Sequence, residues 1–375
     1  MDPAPPPTIN EALLNDILAM IFEEHARLEW KAPAVDGRVC RLWRRLVLVT
    51  PRAWSYLHIN ICELATAELR LWLNRSRAAP LHITVDTGRA LDGHPNKPKF
   101  NDLLSNCHAR ITSLRMDRGD PSFFEGQGFP CLTLLDIRKW PNAAVRLPIN
   151  WWSPMPKLRS LHLGFTDLPL VALNNLAHLE VLVLYKRTIP SIPQHLPSLT
   201  TLMLENVSFP DTISGPFDFP SLTFLSLYGV RGFKRYINAP NLVTYHEGDI
   251  HTISESFSAP LPSVAEYGRY GSHLGDELRW WPHFFPNVSK IAIRASAHVT
   301  VSLLDHLSNY LSSLPGLQTI SVASQNGAGF AFTCQEKKVV ENVRSKEIFH
   351  MLHFEERPFL RIPLFFGEVS FLPIR

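Results

Sequence analysis

The stretch "LRSLHL" at residues 158–163 has leucine at its first, fourth and sixth positions. The same phrase returns as "LEVLVL" at 179–184, "LTTLML" at 199–204 and "LTFLSL" at 222–227. Two earlier copies, "ITSLRM" at 111–116 and "LTLLDI" at 132–137, accept Ile or Met at one or two leucine positions. Most copies follow a Pro, and successive copies begin 20 to 29 residues apart. This recurrence decides the fold prediction.

A phrase of the form L-x-x-L-x-L with this period is the signature of a leucine-rich repeat. Successive side chains of a strand point to opposite faces, so the fourth and sixth residues of each copy share one face. One copy cannot bury these side chains alone, whereas stacked copies bury them beneath a parallel sheet. The sequence therefore predicts a solenoid, and an ordinary α/β domain rich in leucine is the alternative.

Four weaker copies follow: "LVTYHE" (242–247), "VAEYGR" (264–269), "VSKIAI" (288–293) and "LQTISV" (317–322). In the first two, the leucine positions hold Tyr245, Glu247, Tyr267 and Arg269. These substitutions predict irregular stacking, or an interruption by a loop across residues 248–283. Residues 326–375 leave the pattern and are predicted to form a C-terminal cap or tail.

The residues between and just after the paired leucines face the concave side of such a sheet. They mix aromatic, Met and charged side chains, as protein interfaces do. We therefore predict a surface that binds a protein substrate. Its members are Arg115, Asp117, Asp136, Arg138, His162, Tyr185, Lys186, Met203, Glu205, Tyr228 and His246.

The N-terminal stretch "LLNDILAMIFEEH" (13–25) is a different kind of sequence. A capping box at Thr8–Glu11 predicts that a helix follows. Its apolar residues cover an arc of roughly 200°, about twice the arc that a helix resting on one core needs. Either the helix covers its own core and a second surface, or it is buried on two sides within one domain.

Two further helices are predicted downstream. Apolar residues recur at helical spacing from Val35 to Val47, and "TPRAW" (50–54) starts a short helix with Thr50 as its cap and Pro51 at its first position. Three short helices in so few residues form a marginal unit. A partner surface would stabilise such a unit.

Together these blocks resemble the F-box of many fungal proteins. The family pattern is Leu-Pro-x-Glu-Ile-Leu, a helix ending in Ile-Phe, then Val-Cys-x-x-Trp and Thr-Pro-x-x-Trp. This chain matches it with Leu13, Ile17 and Leu18, then with "IF" at 21–22, "VCRLW" at 39–43 and "TPRAW" at 50–54. It departs at Leu14, where the family has Pro, and at Asp16, where Glu is usual.

The resemblance implies docking on the Skp-type adaptor of a cullin–RING ubiquitin ligase. It implies adaptor contacts by Leu13, Ile17, Leu18, Ile21, Phe22, Val39, Cys40, Trp43 and Trp54. The protein is then a non-catalytic, substrate-recognition subunit whose repeats bind an unknown substrate. The alternative is a leucine-rich-repeat scaffold that engages no ligase.

The predicted fold class is α/β, with a small three-helix F-box followed by an irregular leucine-rich-repeat solenoid. The predicted segments are a flexible N-terminus (1–9), the F-box (10–60), a linker helix and first strand (61–100), the solenoid (101–325) and the C-terminal cap or tail (326–375). The repeats are expected to fold without the F-box, because their core forms between neighbouring copies.

Composition narrows the function classes. The net charge of +3 predicts no strong attraction to nucleic acid or membrane. The five cysteines are scattered and form no C-x-x-C motif, and His350 and His353 are the only close histidine pair, so no metal or cofactor is predicted. The serine-hydrolase, P-loop and kinase motifs are absent, which disfavours an enzyme. The start, "MDPAPPPT", lacks the features of a signal peptide, which predicts a cytoplasmic or nuclear location.

Overall fold

The fold comes from a computed structural model of the chain. The residues that it describes are 13–62, 65–86, 96–118, 128–138, 145–146, 155–164, 166–167, 176–188, 195–209, 216–230, 233–248, 257, 259–270, 281–295, 316–324, 329–333 and 338–340. The predicted capping box at 8–11 and nearly all of the predicted cap or tail at 326–375 lie outside them. The chain is a mixed α/β protein in which twelve strands pair in parallel.

The N-terminal segment is helical, as predicted. It contains α1 (Asn15–Leu28), α2 (Ala32–Asp36), α3 (Arg41–Val49) and a 3₁₀ turn at Pro51–Trp54.

The helix predicted from Val35 to Val47 is interrupted, which corrects the prediction of one continuous helix. Cys40 has an extended backbone, and its Sγ accepts a hydrogen bond from the Trp43 amide at 3.4 Å, so a new helix begins there. The predicted cap at Thr50 is also wrong, because its hydroxyl donates to the Leu46 carbonyl at 2.8 Å and makes no cap bond.

The three helices share a small core. Leu18, Phe22 and Ala26 form the buried side of α1, and the Phe22 ring packs edge-on against Trp43 with centroids 5.1 Å apart. The Asp36 carboxylate ties α2 to α1 through the His25 ring at 3.1 Å. Burial raises the pKa of Asp36, and His25 opposes that shift.

A tryptophan cluster joins this helical segment to the second of the next three elements of the chain. These elements are β1 (Tyr56–Asn60), α4 (Thr66–Ser76) and β2 (Leu81–Asp86). The Trp54 and Trp72 rings lie 4.5 Å apart, and Trp30 lies 5.6 Å from Trp72. Both Trp54 and Trp72 are buried. The boundary predicted at residue 60 thus falls inside a shared core.

The chain divides into two compact units, the first of which comprises residues 1–241 and 255–258. After β2 this unit contains α5 (Lys97–Ser105), a 3₁₀ turn (His108–Arg110), β3 (Ile111–Arg118), β4 (Leu134–Arg138), β5 (Val145–Arg146), β6 (Ser160–Gly164), β7 (Thr166–Asp167), β8 (Val181–Thr188), β9 (Thr201–Ser208), β10 (Phe217–Asp218), β11 (Phe224–Tyr228), a 3₁₀ turn (Lys234–Tyr236) and β12 (Ile237–Asn238). Its main sheet has the order β1-β2-β3-β4-β6-β8-β9-β11, with every pair parallel. The short pairs β5–β7 and β10–β12 are separate.

The second unit comprises residues 242–254 and 259–375. It contains β13 (Thr244–Gly248), β14 (Glu266–Tyr270), α6 (Trp281–Phe284), β15 (Lys290–Ala295), β16 (Thr319–Ser324), β17 (Gly329–Thr333) and β18 (Lys338–Val340). The first four strands pair in parallel and the last two continue the sheet antiparallel. The weak copies at 242 and 264 therefore carry strands in regular register.

Each leucine phrase contributes one strand to these sheets. In the copy at 158–163, Leu158, Leu161 and Leu163 are all buried, as are the matching residues of the next copies. At the start of most phrases an apolar-x-x-Leu turn closes, usually with Pro at its second position: the Met155 carbonyl accepts from the Leu158 amide, and the Phe219 carbonyl from the Leu222 amide. Proline is favoured at the second position of such a turn because its φ is preset.

A second backbone contact links successive copies. The carbonyl of the second residue of one copy accepts the amides of the second and third residues of the next copy. Thus the Arg159 carbonyl accepts hydrogen bonds from the amides of Glu180 and Val181. The Glu180 carbonyl likewise accepts from the amides of Thr200 and Thr201. This shared acceptor sets the register between neighbouring strands.

A chain that begins at residue 61 lacks both Trp54 and β1. We expect its free energy of unfolding to fall by about 3 kcal/mol or more relative to a chain that begins at residue 13, the usual cost of removing one buried tryptophan side chain. Thermal unfolding followed by circular dichroism measures the difference. Equal midpoints for the two fragments would show that the repeats do not need the helical segment.

Candidate functional site

The first candidate site is an exposed apolar stripe on α1. It consists of Leu14, Ile17, Ile21 and Leu28, which are 75%, 41%, 43% and 70% exposed. Their spacing of three, four and seven residues places them along one side of the helix. The buried residues Leu18, Phe22 and Ala26 lie on the neighbouring side. The wide apolar arc is thus two stripes, of which only one is covered.

This arrangement rules out a helix buried on two sides within its own domain. Among the residues that the structure describes, exposed large apolar side chains are concentrated in this segment. Besides the stripe, the exposed large apolar residues of this segment are Met20, Val35, Val39, Leu48 and Val49. In the rest of the described residues they are only Leu71 and Val243. Such a concentration is typical of a surface that another molecule covers.

The predicted adaptor contacts separate into three groups. Ile17, Ile21 and Val39 are exposed; Leu13, Cys40 and Trp43 are partly exposed; Leu18, Phe22 and Trp54 are buried. The buried ones hold the segment together, and the Trp54 indole donates to the Val47 carbonyl at 2.8 Å. The prediction missed Leu14, Met20 and Leu28 as exposed side chains. Helical spacing from Ile17 and Ile21 is the signal that identifies Leu14 and Leu28.

The second candidate site is the sheet face of the first unit that lies opposite the buried leucines. Cross-strand pairing aligns Arg115, Asp136, His162 and Met203 in one row, with Val183 between the last two. A second row aligns Tyr185, Glu205 and Tyr228. Seven of the predicted substrate-binding residues of this unit therefore share a face: Arg115, Asp136, His162, Tyr185, Met203, Glu205 and Tyr228.

Part of this face is closed to solvent. Asp136 and His162 are only 3% and 1% exposed. The Arg115 Nε lies 2.6 Å from the Asp117 carboxylate and 3.9 Å from that of Asp136. The His162 Nε2 lies 3.1 Å from the Ser160 hydroxyl, and its Nδ1 lies 3.8 Å from Asp136 Oδ2. A partner would meet Arg115 and Asp117 on this row, and not the two buried groups.

The remaining predicted contacts lie at different depths. Tyr185, Met203, Glu205 and Tyr228 are partly exposed. Arg138 and Lys186 belong to β4 and β8, but their side chains lie outside the described part of the structure. The second row, with a carboxylate between two tyrosines, is partly exposed, although the Tyr185 hydroxyl itself is buried.

His246, the last predicted contact, is buried in the second unit. Its ring packs against Gly268, its partner in the neighbouring strand. A Cβ at residue 268 would lie 2.5 Å from His246 Cδ2. Burial lowers the pKa of His246 to about 4. This histidine is therefore a neutral packing residue on a strand that glycine allows to come close.

The polar residues of the weak copies form a buried cluster in the second unit. The Glu247 carboxylate accepts hydrogen bonds from the hydroxyls of Tyr245, at 2.7 Å, and Tyr267. Arg269 Nη1 lies 2.9 Å from the same carboxylate. Phe285 packs against both tyrosine rings, with centroids 5.6 and 5.1 Å away. The cluster occupies the leucine positions of these copies, so no irregular stacking is observed there.

Comparison with models of known families finds no match to the chain, and comparison with curated proteins finds no relative. Within the described ranges, no group of three His, Cys, Asp or Glu side chains is placed to hold a metal ion. None of the helices in those ranges is long and apolar enough to span a membrane.

Gly268→Ala tests the close packing of β14 on His246. We expect it to lower the free energy of unfolding by about 1–3 kcal/mol, because the new methyl group overlaps the buried ring. The same substitution in a His246→Ala background is expected to cost much less. Gly316→Ala is the matched control, since its Cβ meets only ordinary contact at 3.9 Å. Chemical denaturation measures all four variants, and an additive pair would contradict the contact.

The stability of the second unit is expected to depend on pH through His246. The folded pKa of about 4 lies below the ordinary value of 6.5, so the unfolded state binds the proton more readily. The neutral ring's contribution to the free energy of unfolding is complete above pH 6.5. It is lost as the pH falls toward 4, by up to about 3 kcal/mol. Denaturation of the wild type and His246→Gln across this range isolates the effect. A stability difference that does not change with pH would refute it.

Proposed function

We propose that the protein is the substrate-recognition subunit of a Skp–cullin–F-box ubiquitin ligase. In this proposal the helical segment (residues 13–54) docks on the Skp-type adaptor, and the opposite sheet face binds the substrate protein. Such a subunit works without a cofactor, in the cytoplasm or the nucleus. The observation that carries the proposal is the exposed stripe of Leu14, Ile17, Ile21 and Leu28 beside a buried stripe on the same helix.

The exposed stripe has the chemistry of a docking surface. Covering an apolar side chain stabilises a complex by about 25 cal/mol per Å² of apolar area, and four side chains along one helix contribute together. A helix that presents apolar residues at this spacing fits a hydrophobic groove on a partner. The blocks at 39–43 and 50–54 that resemble the F-box form the turns and the small core beneath this stripe.

The rest of the chain suits the second half of the proposal. A parallel sheet built from stacked phrases presents one broad face of strand residues. On that face Tyr185, Glu205 and Tyr228 lie side by side and partly exposed. Tyrosines at the centre of a protein interface are frequent hot spots. This row is the proposed centre of substrate contact.

Ile17→Asp combined with Ile21→Asp tests the docking stripe. We expect this variant to lose at least about tenfold in affinity for a purified Skp-type adaptor, because both charges fall in a contact that becomes dry on binding. Its thermal midpoint should stay close to that of the wild type, since both positions are exposed. Isothermal calorimetry and circular dichroism give the two quantities.

Two controls complete this experiment. Leu71→Asp places the same charge at an exposed apolar position on α4 and should leave adaptor binding intact. Leu18→Asp buries a charge in the core of the segment and is expected to lower the free energy of unfolding by about 3–5 kcal/mol. If the folded wild-type chain does not bind the adaptor, the protein is instead an interaction scaffold.

A further inference from the structure

Helix α3 carries several arginines on one face. No acidic group in the described residues around them balances their positive charge. Arg41, Arg44, Arg45 and Leu48 follow one another at intervals of three, one and three residues, which places them on one side of the helix. All four are exposed, whereas Leu46 and Val47 on the other side are buried. We call these four residues the arginine face.

Three acidic side chains of the helical segment pair with cationic groups other than the arginine face. Glu23 lies 3.7 Å from Arg52, Glu24 binds Arg27, and Asp36 binds His25. Arg41 and Arg45 make no ion pair with any residue in the described ranges, and Arg44 donates only to the Gly37 carbonyl, at 2.8 Å. The positive charge of the face is therefore uncompensated within the part of the chain that the structure describes.

The arginines do not serve the helix that carries them. The N-terminus of a helix has a partial positive charge, so cations in the first turns are unfavourable. Arg41 and Arg45 are four residues apart, where like charges repel each other. The side-chain cap of this helix is the Cys40 sulfur, a weak acceptor at 3.4 Å from the Trp43 amide. Local stability thus favours an acidic residue at position 41, and a second arginine at position 45 adds repulsion.

The apolar neighbours of the face indicate the kind of partner. Leu48 and Val49 are exposed at the C-terminal end of the same helix, and Val39 is exposed just before it. Nucleic-acid interfaces are polar and strongly positive, whereas a surface that mixes cations with aliphatic side chains fits a protein that presents carboxylates beside apolar groups.

We propose that the arginine face docks against an acidic surface of the same adaptor that covers the α1 stripe, and that it accelerates their association electrostatically. This inference rests on the proposed function. Opposite charges on approaching proteins raise the association rate more than they slow dissociation. The face steers the partner, and the stripe supplies the apolar contact that holds it.

The experiment measures association and dissociation rates of the full chain with a purified Skp-type adaptor at low and high salt. Arg41→Glu combined with Arg45→Glu is expected to lower the association rate about tenfold or more at low salt, with the dissociation rate nearly unchanged. The wild-type rate should fall as salt rises, and the rate of the variant should not. The control for Arg45→Glu alone is Arg70→Glu, which reverses the charge at an exposed position on α4. The Arg70→Glu variant should associate at the wild-type rate.

Stability measurements guard against a misfolded variant. Glutamate suits position 41 in the first turn of the helix, and position 45 is exposed in its middle, so the thermal midpoint of Arg41→Glu/Arg45→Glu should equal or exceed that of the wild type. A lower midpoint would mean that the arginines stabilise the fold and would overturn the proposal. The neutral pair Arg41→Gln/Arg45→Gln should associate at an intermediate rate.

The outcomes separate the two proposals. If the adaptor binds every variant at the wild-type rate, the arginine face has no docking role, although the proposed function stands. If the adaptor binds no form of the chain, both proposals fail. Tight binding of single-stranded polyuridine RNA by the wild type, lost in Arg41→Glu/Arg45→Glu, would assign the face to nucleic acid and overturn the inference.

Discussion

The sheets depend on one backbone turn that recurs before their strands. In each turn the carbonyl of a buried apolar residue accepts the amide of the first leucine of the phrase, usually with proline between them. The turn fixes where the strand begins, and the shared carbonyl of the residue after that leucine fixes its register on the next copy. Because side chains alternate along a strand, these two contacts also decide which residues enter the core and which form the opposite face.

Helix α1 of the helical segment carries one buried apolar stripe and one exposed apolar stripe. The buried stripe of α1 packs on Trp43, and Trp54 packs on Trp72 of α4. These aromatic contacts fix the segment against the first strands of its own unit. If a partner covers the exposed stripe, as proposed, a base held this firmly loses little conformational entropy on binding. The same contacts explain why the segment and the early strands are expected to unfold together.

The second unit replaces leucine with a polar cluster and retains regular strands. A lone buried carboxylate is costly, but Glu247 receives two tyrosine hydroxyls and the Arg269 guanidinium. Removing any one of these groups would leave the others underpaired, so the four residues depend on one another. In contrast with leucine packing, this arrangement requires a specific geometry between β13 and β14, and Gly268 permits their close approach beside His246.

The sequence by itself determined the strands and their buried sides, because a phrase such as "LEVLVL" encodes alternation locally and its spacing repeats along the chain. It also indicated that the N-terminal segment is helical and that its first helix has a double-width apolar arc. Only the tertiary structure decided that Ile17 is exposed while Leu18 is buried, that the second predicted helix breaks near Cys40, and that Asp136 and His162 are closed to solvent. The burial of a side chain depends on residues that approach from distant parts of the chain, and the polar partners of Glu247 become visible only when neighbouring strands are placed side by side.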